Sequence, residues 1–307
     1  MEYQRMSDFP AIIEGGGDLA QFLSTNKSAV DAALADAGTL LFRGFDVPDA
    51  QAFDAAVRGY GEPGFTYEES LSNAVRVNVT ERVFTANEAP PTTEIHLHHE
   101  MAQTPLYPSK LFFYCEIAPE KGGATPVCRS DWLLESMTRQ HPEIVARFAE
   151  HGVRYTNVMP GNDDAASGQG RSWRSTLGVK DRAGAERRLS DLGYEWDWRE
   201  DDSLRATTPV LPAIRELPDG RKTFFNQLIA AFRGWSDERN EADKSVVFGD
   251  GSLITQADMT PAIAAAEELT RDLAWQAGDV ALVDNYLAMH GRRPFEGKRR
   301  VLASLIS

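Results

Sequence analysis

EIHLHHEMAQ, residues 94–103, places three of the chain's six histidines within four positions and follows them at once with a carboxylate. Read as an extended strand, alternate side chains share a face, so His96, His98 and Glu100 point one way and Leu97 and His99 the other. An ion bound from one face can take His98 and Glu100, two positions apart. Imidazole nitrogen with carboxylate oxygen is a borderline-to-hard donor pair that suits Fe(II), Mn(II) or Zn(II). A third donor must then come from elsewhere in the chain, so the segment constrains the fold as well as the chemistry.

Three histidines remain. His141 and His151 bracket one amphipathic run, HPEIVARFAEHG, where capping or a dipole interaction is the ordinary role. His290 instead follows the strand-like GDVALVDNYLAM and precedes GRRPF. His98, Glu100 and His290 make two histidines and one carboxylate, the facial set that leaves positions open on non-haem iron. Taken alone, an H-x-E pair is common by chance, and a single histidine after a strand is more often a hydrogen-bonded core residue. The reading gains weight only from further matching pieces.

Working outward, the chain has 307 residues, enough for a sizeable core in one large domain or two ordinary ones. With 42% hydrophobic and 25% charged residues, the composition is that of a water-soluble globular protein. A net charge of −14 repels phosphate backbones and argues against a nucleic-acid partner. No run of about 18 apolar residues suggests a membrane span. The start, MEYQRMSDFP, lacks a basic segment followed by an apolar one, and only Cys115 and Cys128 are available for pairing. Free thiols in a reducing cytoplasm are the expectation.

KSAVDAALADAG reads as a helix stopped by Gly38, TLLFRGF as a short strand, and PDAQAFDAAVRGYG as a helix with Pro48 in its first turn and Gly61 near its end. SKLFFYCEIA, TPVLPAI, KTFFNQLIAAF, GDVALVDN and RRVLASLI read as strands. HPEIVARFAEHG and TPAIAAAEELTRDLAW read as helices, the second with Thr260 as N-cap and Pro261 at the first helical position. EGGGD, residues 14–18, lacks the GxGxxG spacing of a dinucleotide site. Widely separated strands with long insertions predict a distorted barrel or sandwich decorated by helices, over one domain spanning 1–307.

At this point the sequence resembles the taurine dioxygenase-like superfamily of Fe(II)/2-oxoglutarate-dependent oxygenases, most closely its clavaminate-synthase-like branch. The resemblance runs from LFRGF (41–45) to the C-terminal strand. It is carried by HHEMAQ, PSKLFFYCEIAPEKGGATP, FNQLIAAFRGW, FGDGS and DVALVDNYLAMHGRRPFEGKRRVLASL. It implies a mixed α+β fold on a double-stranded β-helix, or jelly-roll, core with flanking helices. It also implies His98, Glu100 and His290 as ligands of Fe(II), with His96 and His99 not binding directly. The family's 2-oxoglutarate arginine falls on Arg300, with Arg299 as the competing choice, since neighbours in a strand face opposite ways. Its GG-x-T threonine falls on Thr125, a turn residue if it has no such role. Arginine suits the far carboxylate because its planar fork binds bidentately.

The implied reaction oxidises a C–H bond, with hydroxylation the first expectation and desaturation or cyclisation as variants. O2 and 2-oxoglutarate are consumed, and succinate and CO2 released. Glu100, in place of the commoner aspartate, points to the branch acting on amino acids. The expected partner is a small amino-acid-like or organic-acid substrate, free or carrier-tethered. Ser304, four positions beyond Arg300, stands where the taurine enzyme carries its sulfonate-binding arginine, so a sulfonate substrate is not expected. Asn226 is a polar candidate for the pocket, and RSWRS (171–175) for a lid. Rival readings are a cupin-like metalloenzyme using His96 and His98, a zinc hydrolase, and a metal or 2-oxoglutarate sensor on the same fold. The cupin pattern wants a glutamate near Ala102 or Gln103, and no HExxH helix supports a hydrolase.

Overall fold

The Lys110–Ile117 strand divides its side chains between two cores. Phe112 and Tyr114 lie under N-terminal helices, with Leu23, Phe53 and Val57. Leu111, Phe113 and Cys115 face inward with Val301, Ala303 and Leu305. Cover on both faces accounts for the unbroken apolar run. Each of these large side chains contributes about 1.5–3 kcal/mol on burial.

The computed structural model describes residues 9–66, 70–72, 76–86, 89–163, 170–234 and 245–307. The first eight residues of the N-terminal segment read above, and Trp235 of FNQLIAAFRGW, lie outside them. The strand just described is central to a six-stranded sheet ordered Ala11–Glu14, Thr39–Arg43, Val280–Asp284, Lys110–Ile117, Arg300–Ile306, Phe84–Thr85. A four-stranded sheet runs Arg271–Leu273, Thr125–Arg129, Ala288–Arg292, Ile95–His98. Another four-stranded sheet, Val246–Phe248, Val153–Met159, Leu204–Thr207 and Glu195–Trp198, is formed within the insertion before the final strands. The fold is therefore mixed α and β with several sheets. Residues 285–287 carry the chain from the first sheet into the second, which brings His290 beside His98.

Most expected elements form. Lys27–Ala37 ends at Gly38, whose φ of 74° is costly for other residues. The helix Ala50–Tyr60 is capped by Asp49, so Pro48 precedes it rather than sitting in its first turn. Asp18 of the glycine-rich EGGGD accepts hydrogen bonds from the backbone of Ala20 and Gln21 and starts the helix Leu19–Thr25, a structural role.

Three expectations are corrected. TPVLPAI is not a strand: Leu211 makes only an isolated bridge to Val153, because its two prolines lack ladder donors. In KTFFNQLIAAF only Lys222–Thr223 is strand, and Leu228–Gly234 is helical, started by Asn226 Oδ1 accepting from Leu228 N. The helix assigned to start at Thr260 begins earlier. Thr255 and Asp258 form a reciprocal capping box, and Pro261 lies inside Gln256–Leu269, where it gives up one intrahelical hydrogen bond. Cys115 and Cys128 are free and buried. Among the described residues no helix is long and apolar enough to cross a membrane.

Candidate active site

Backbone pairing sets His290 opposite His98 across two neighbouring antiparallel strands. Their ring centroids are 4.5 Å apart. Glu100 follows just beyond the end of its strand. Its Oε2 lies 3.3 Å from His290 Nε2 and 3.8 Å from His98 Nε2. One donor atom from each of the three lies within 4.8 Å of the others, a geometry able to hold a metal ion. His98 Nδ1 lies 2.8 Å from the His96 carbonyl, which can only accept. The proton therefore sits on Nδ1 and leaves the Nε2 lone pair facing Glu100. Burial pushes the Glu100 carboxyl up, but the two imidazoles and the nearby Arg76 charge outweigh it and hold the group well below the usual carboxylate range. Burial and the neighbouring His98 push His290 down to about 4, which favours the neutral, ligating form.

Asn285 is what holds Glu100 in place, and sequence reading missed it. Its Oδ1 accepts from Glu100 N at 2.7 Å, and its Nδ2 donates to the carbonyls of Glu100 and Pro108. Because Asn285 stands at the crossing between the two sheets, the backbone that carries the Glu100 side chain is tied to the fold itself. The signal was present as the DN pair that ends an apolar strand, but a DN pair reads equally as a plain turn.

His99 has no part in the donor set. It is fully buried, Nδ1 donates to the Asn285 carbonyl, and Nε2 accepts from Ser130 Oγ, both at 2.5 Å. Burial pushes it down to about 3. His99→Ala leaves the Ser130 hydroxyl and a backbone carbonyl buried without partners and opens a cavity, and is expected to cost about 2–4 kcal/mol. Urea unfolding of the metal-free protein measures this; a midpoint within error of wild type would contradict the structural role. His96 stands apart, 3.9 Å from Glu94.

The cavity beside the triad lies between the two sheets. Phe84, Leu111, Phe113, Val301, Ala303 and Leu305 form its apolar wall, and Thr125, Arg76, Arg292 and Arg299 its polar part. Of the two candidate arginines, Arg299 and not Arg300 lines this cavity. Arg299 does so together with Val301, Ala303 and Leu305, and the pairing is irregular between Arg300 and Val301. Arg300 is exposed and pairs with Glu116 at 2.5 Å. Arg299 donates from Nε to the Gly123 carbonyl at 2.9 Å. Burial and the adjacent Arg292 charge push it down to about 10, still a cation at neutral pH. A Cβ on Gly123 would come within 3.1 Å of Arg299 Cδ, so the GG turn packs against this arginine. Thr125 Oγ1 accepts from Trp275 Nε1 at 3.0 Å, which leaves its own proton free to donate. Arg292 spends its terminal nitrogens on the carbonyls of Ala89, Pro90 and Thr93.

Asn226 does not reach this cavity: its amide donates to the Ala213 carbonyl. Nor is RSWRS a loose loop, for Trp173 is fully buried and Arg171 binds the Ser72 carbonyl. In a broader concavity of about 940 Å³ near Arg129, Asp131 and Arg221, Asp131 is paired to both arginines, and no such donor set is found there among the described residues.

A family model described as taurine catabolism dioxygenase TauD, TfdA family, matches residues 5–305. The chain belongs to the TauD/TfdA family. A clavaminate synthase-like protein of Arabidopsis thaliana is 43% identical over 93% of this chain and 86% of its own length. The dapdiamide synthesis protein DdaC of Enterobacter agglomerans is 30% identical over 90% of this chain and 84% of its own length. Among solved structures, a taurine dioxygenase from Burkholderia xenovorans aligns with a TM-score of 0.54 and 17% identity, over 97% of this chain and 87% of that one. AAD-2 in complex with Mn(II) and N-oxalylglycine aligns with a TM-score of 0.54 and 13% identity, over 99% of this chain and 96% of that one. At such identities the structures share the fold. The TauD/TfdA family is Fe(II)/2-oxoglutarate dependent, and membership makes this chain an oxygenase of that type.

Proposed function

We propose that this TauD/TfdA member is a dioxygenase that oxidises, in the first instance hydroxylates, a C–H bond of a small amino-acid-like or organic-acid substrate, free or carrier-tethered. The convergence of His98, Glu100 and His290 beside a cavity that also holds Arg299 and Thr125 carries this reading. The donor set of two imidazoles and one carboxylate suits Fe(II). The three residues would hold the ion, and Arg299 with Thr125 would hold the far carboxylate of 2-oxoglutarate. When bound, iron and 2-oxoglutarate supply the oxidising power through O2, with succinate and CO2 as by-products. The protein's own contribution is position. Asn285 fixes Glu100, the His96 carbonyl fixes the His98 tautomer, and the apolar wall keeps water from the reacting carbon.

The two principal sheets packed around this cavity are read as a distorted double-stranded β-helix within one domain, supported by a family match that spans nearly the whole chain. The free buried thiols fit a cytoplasmic setting. With Arg299 as counter-ion, the residue four positions on is Ala303, which faces the cavity but carries no charge. A sulfonate therefore lacks a partner there. The relative named for dapdiamide synthesis favours an amino-acid-related substrate.

Anaerobic addition of Fe(II) and 2-oxoglutarate is expected to produce the visible charge-transfer band of the chelate, and screening amino acids and small acids should find one that stimulates CO2 release. A cupin or zinc hydrolase gives no band. A sensor gives the band without stimulated turnover.

A further inference from the structure

Arg76 stands in the cavity beside the triad without a task in the reading above. It lies in the segment leading to the Phe84–Thr85 strand, and its backbone neighbour Val77 is fixed by two hydrogen bonds with Thr85. Its Nε is buried and has no hydrogen-bond partner, although a guanidinium nitrogen removed from water needs one. Arg76 lines the same cavity as His98, Glu100 and His290. Arg299 is held by the Gly123 carbonyl and Arg292 by those of Ala89, Pro90 and Thr93, whereas Arg76 Nε has no such bond.

Charge counting shows what Arg76 lacks. Three arginines and one carboxylate line the cavity, an excess of two positive charges. A divalent ion and doubly charged 2-oxoglutarate cancel each other, so loading leaves that excess unchanged. This occurs inside a protein with a net charge of −14, where acidic partners are plentiful. Within the cavity lining Glu100 is the sole carboxylate, and it already faces the two histidines.

We propose that Arg76 receives a carboxylate of the primary substrate, which makes the substrate an acid presented with its anionic end beside the triad. This rests on the dioxygenase reading and names its substrate class. A guanidinium fork pairs with a carboxylate through two parallel hydrogen bonds, fixing orientation as well as charge. The apolar wall of Phe84, Leu111 and Phe113 then takes the substrate's carbon skeleton.

Calorimetry on protein loaded with Mn(II) and N-oxalylglycine tests this without turnover. The probes are L-α-amino acids and short carboxylic acids, each paired with its primary amide. At least one acid is expected to bind, with its amide about ten-fold weaker or worse. Arg76→Gln should weaken that acid about ten- to hundred-fold while N-oxalylglycine affinity stays within about two-fold. Arg76→Lys, which keeps the charge, should retain part of the preference for acid over amide and covers the case in which the glutamine variant folds poorly. Equal binding of acid and amide, binding of no acid in the panel, or a loss that falls on N-oxalylglycine instead would each overturn the assignment of Arg76 alone. Failure of N-oxalylglycine to bind the wild-type protein would instead bring down the dioxygenase reading, and this inference with it.

Discussion

His98→Ala and His290→Ala are each expected to abolish 2-oxoglutarate turnover, with residual activity at least about 100-fold below wild type. Loss of a residue that merely orients a ligand typically weakens metal binding ten- to hundred-fold, and loss of a ligand should cost more. The two histidines present their Nε2 atoms to one carboxylate oxygen, so deleting either leaves a two-donor site with no geometric hold on the ion. Glu100→Gln should act similarly by removing the one negative charge of the set. His96→Ala is the internal control: it stands beside Glu94, away from the triad, and should keep most activity. Bound iron after dialysis, measured alongside CO2 release, separates ligand loss from misfolding. Retained iron in His98→Ala together with lost iron in His96→Ala would mean that the metal is bound through His96 rather than His98.

Arg299→Lys should raise the apparent KM for 2-oxoglutarate about ten- to hundred-fold with iron content nearly intact. The basis is loss of one charge-assisted, bidentate interaction, worth on the order of 1.5–3 kcal/mol. Lysine keeps the charge but not the fork, and it cannot reproduce the Nε–H bond to Gly123 that aims the guanidinium. Arg300→Lys should change KM by less than about two-fold, since this side chain is exposed and its pair with Glu116 belongs to the weak class of surface ion pairs. A raised KM in Arg300→Lys with Arg299→Lys unaffected would reverse the inward and outward faces of this strand. If neither responds, the counter-ion of 2-oxoglutarate lies on another element.

The candidate metal set, which the fold brings together, was legible because its chemistry is local. H-x-E places two donors on one face of a strand, and few histidines remained to complete the set. His141 and His151 occupy the two ends of their helix, as their positions suggested. Misreadings arose where a short apolar run fits either period. KTFFNQLIAAF is rich enough in aromatics for a strand, yet Asn226 caps a helix within it. TPVLPAI has strand composition, but its prolines cannot donate to a ladder.

What the sequence determined by itself was membership in the family; it also named His98, Glu100 and His290, which the fold brings together. Only the tertiary structure shows that Arg299, and not Arg300, lines the cavity. In VLASLI both faces of the strand are buried, one under helices and one against the cavity, so no alternation of polar and apolar residues marks which is which. Arg76 and Asn285 likewise gain their meaning only in space. One lies 24 positions before Glu100, reading 76 to 100, and the other 185 after it. Such distances carry no periodic signal, because they are set by how two sheets pack and not by the geometry of any one element.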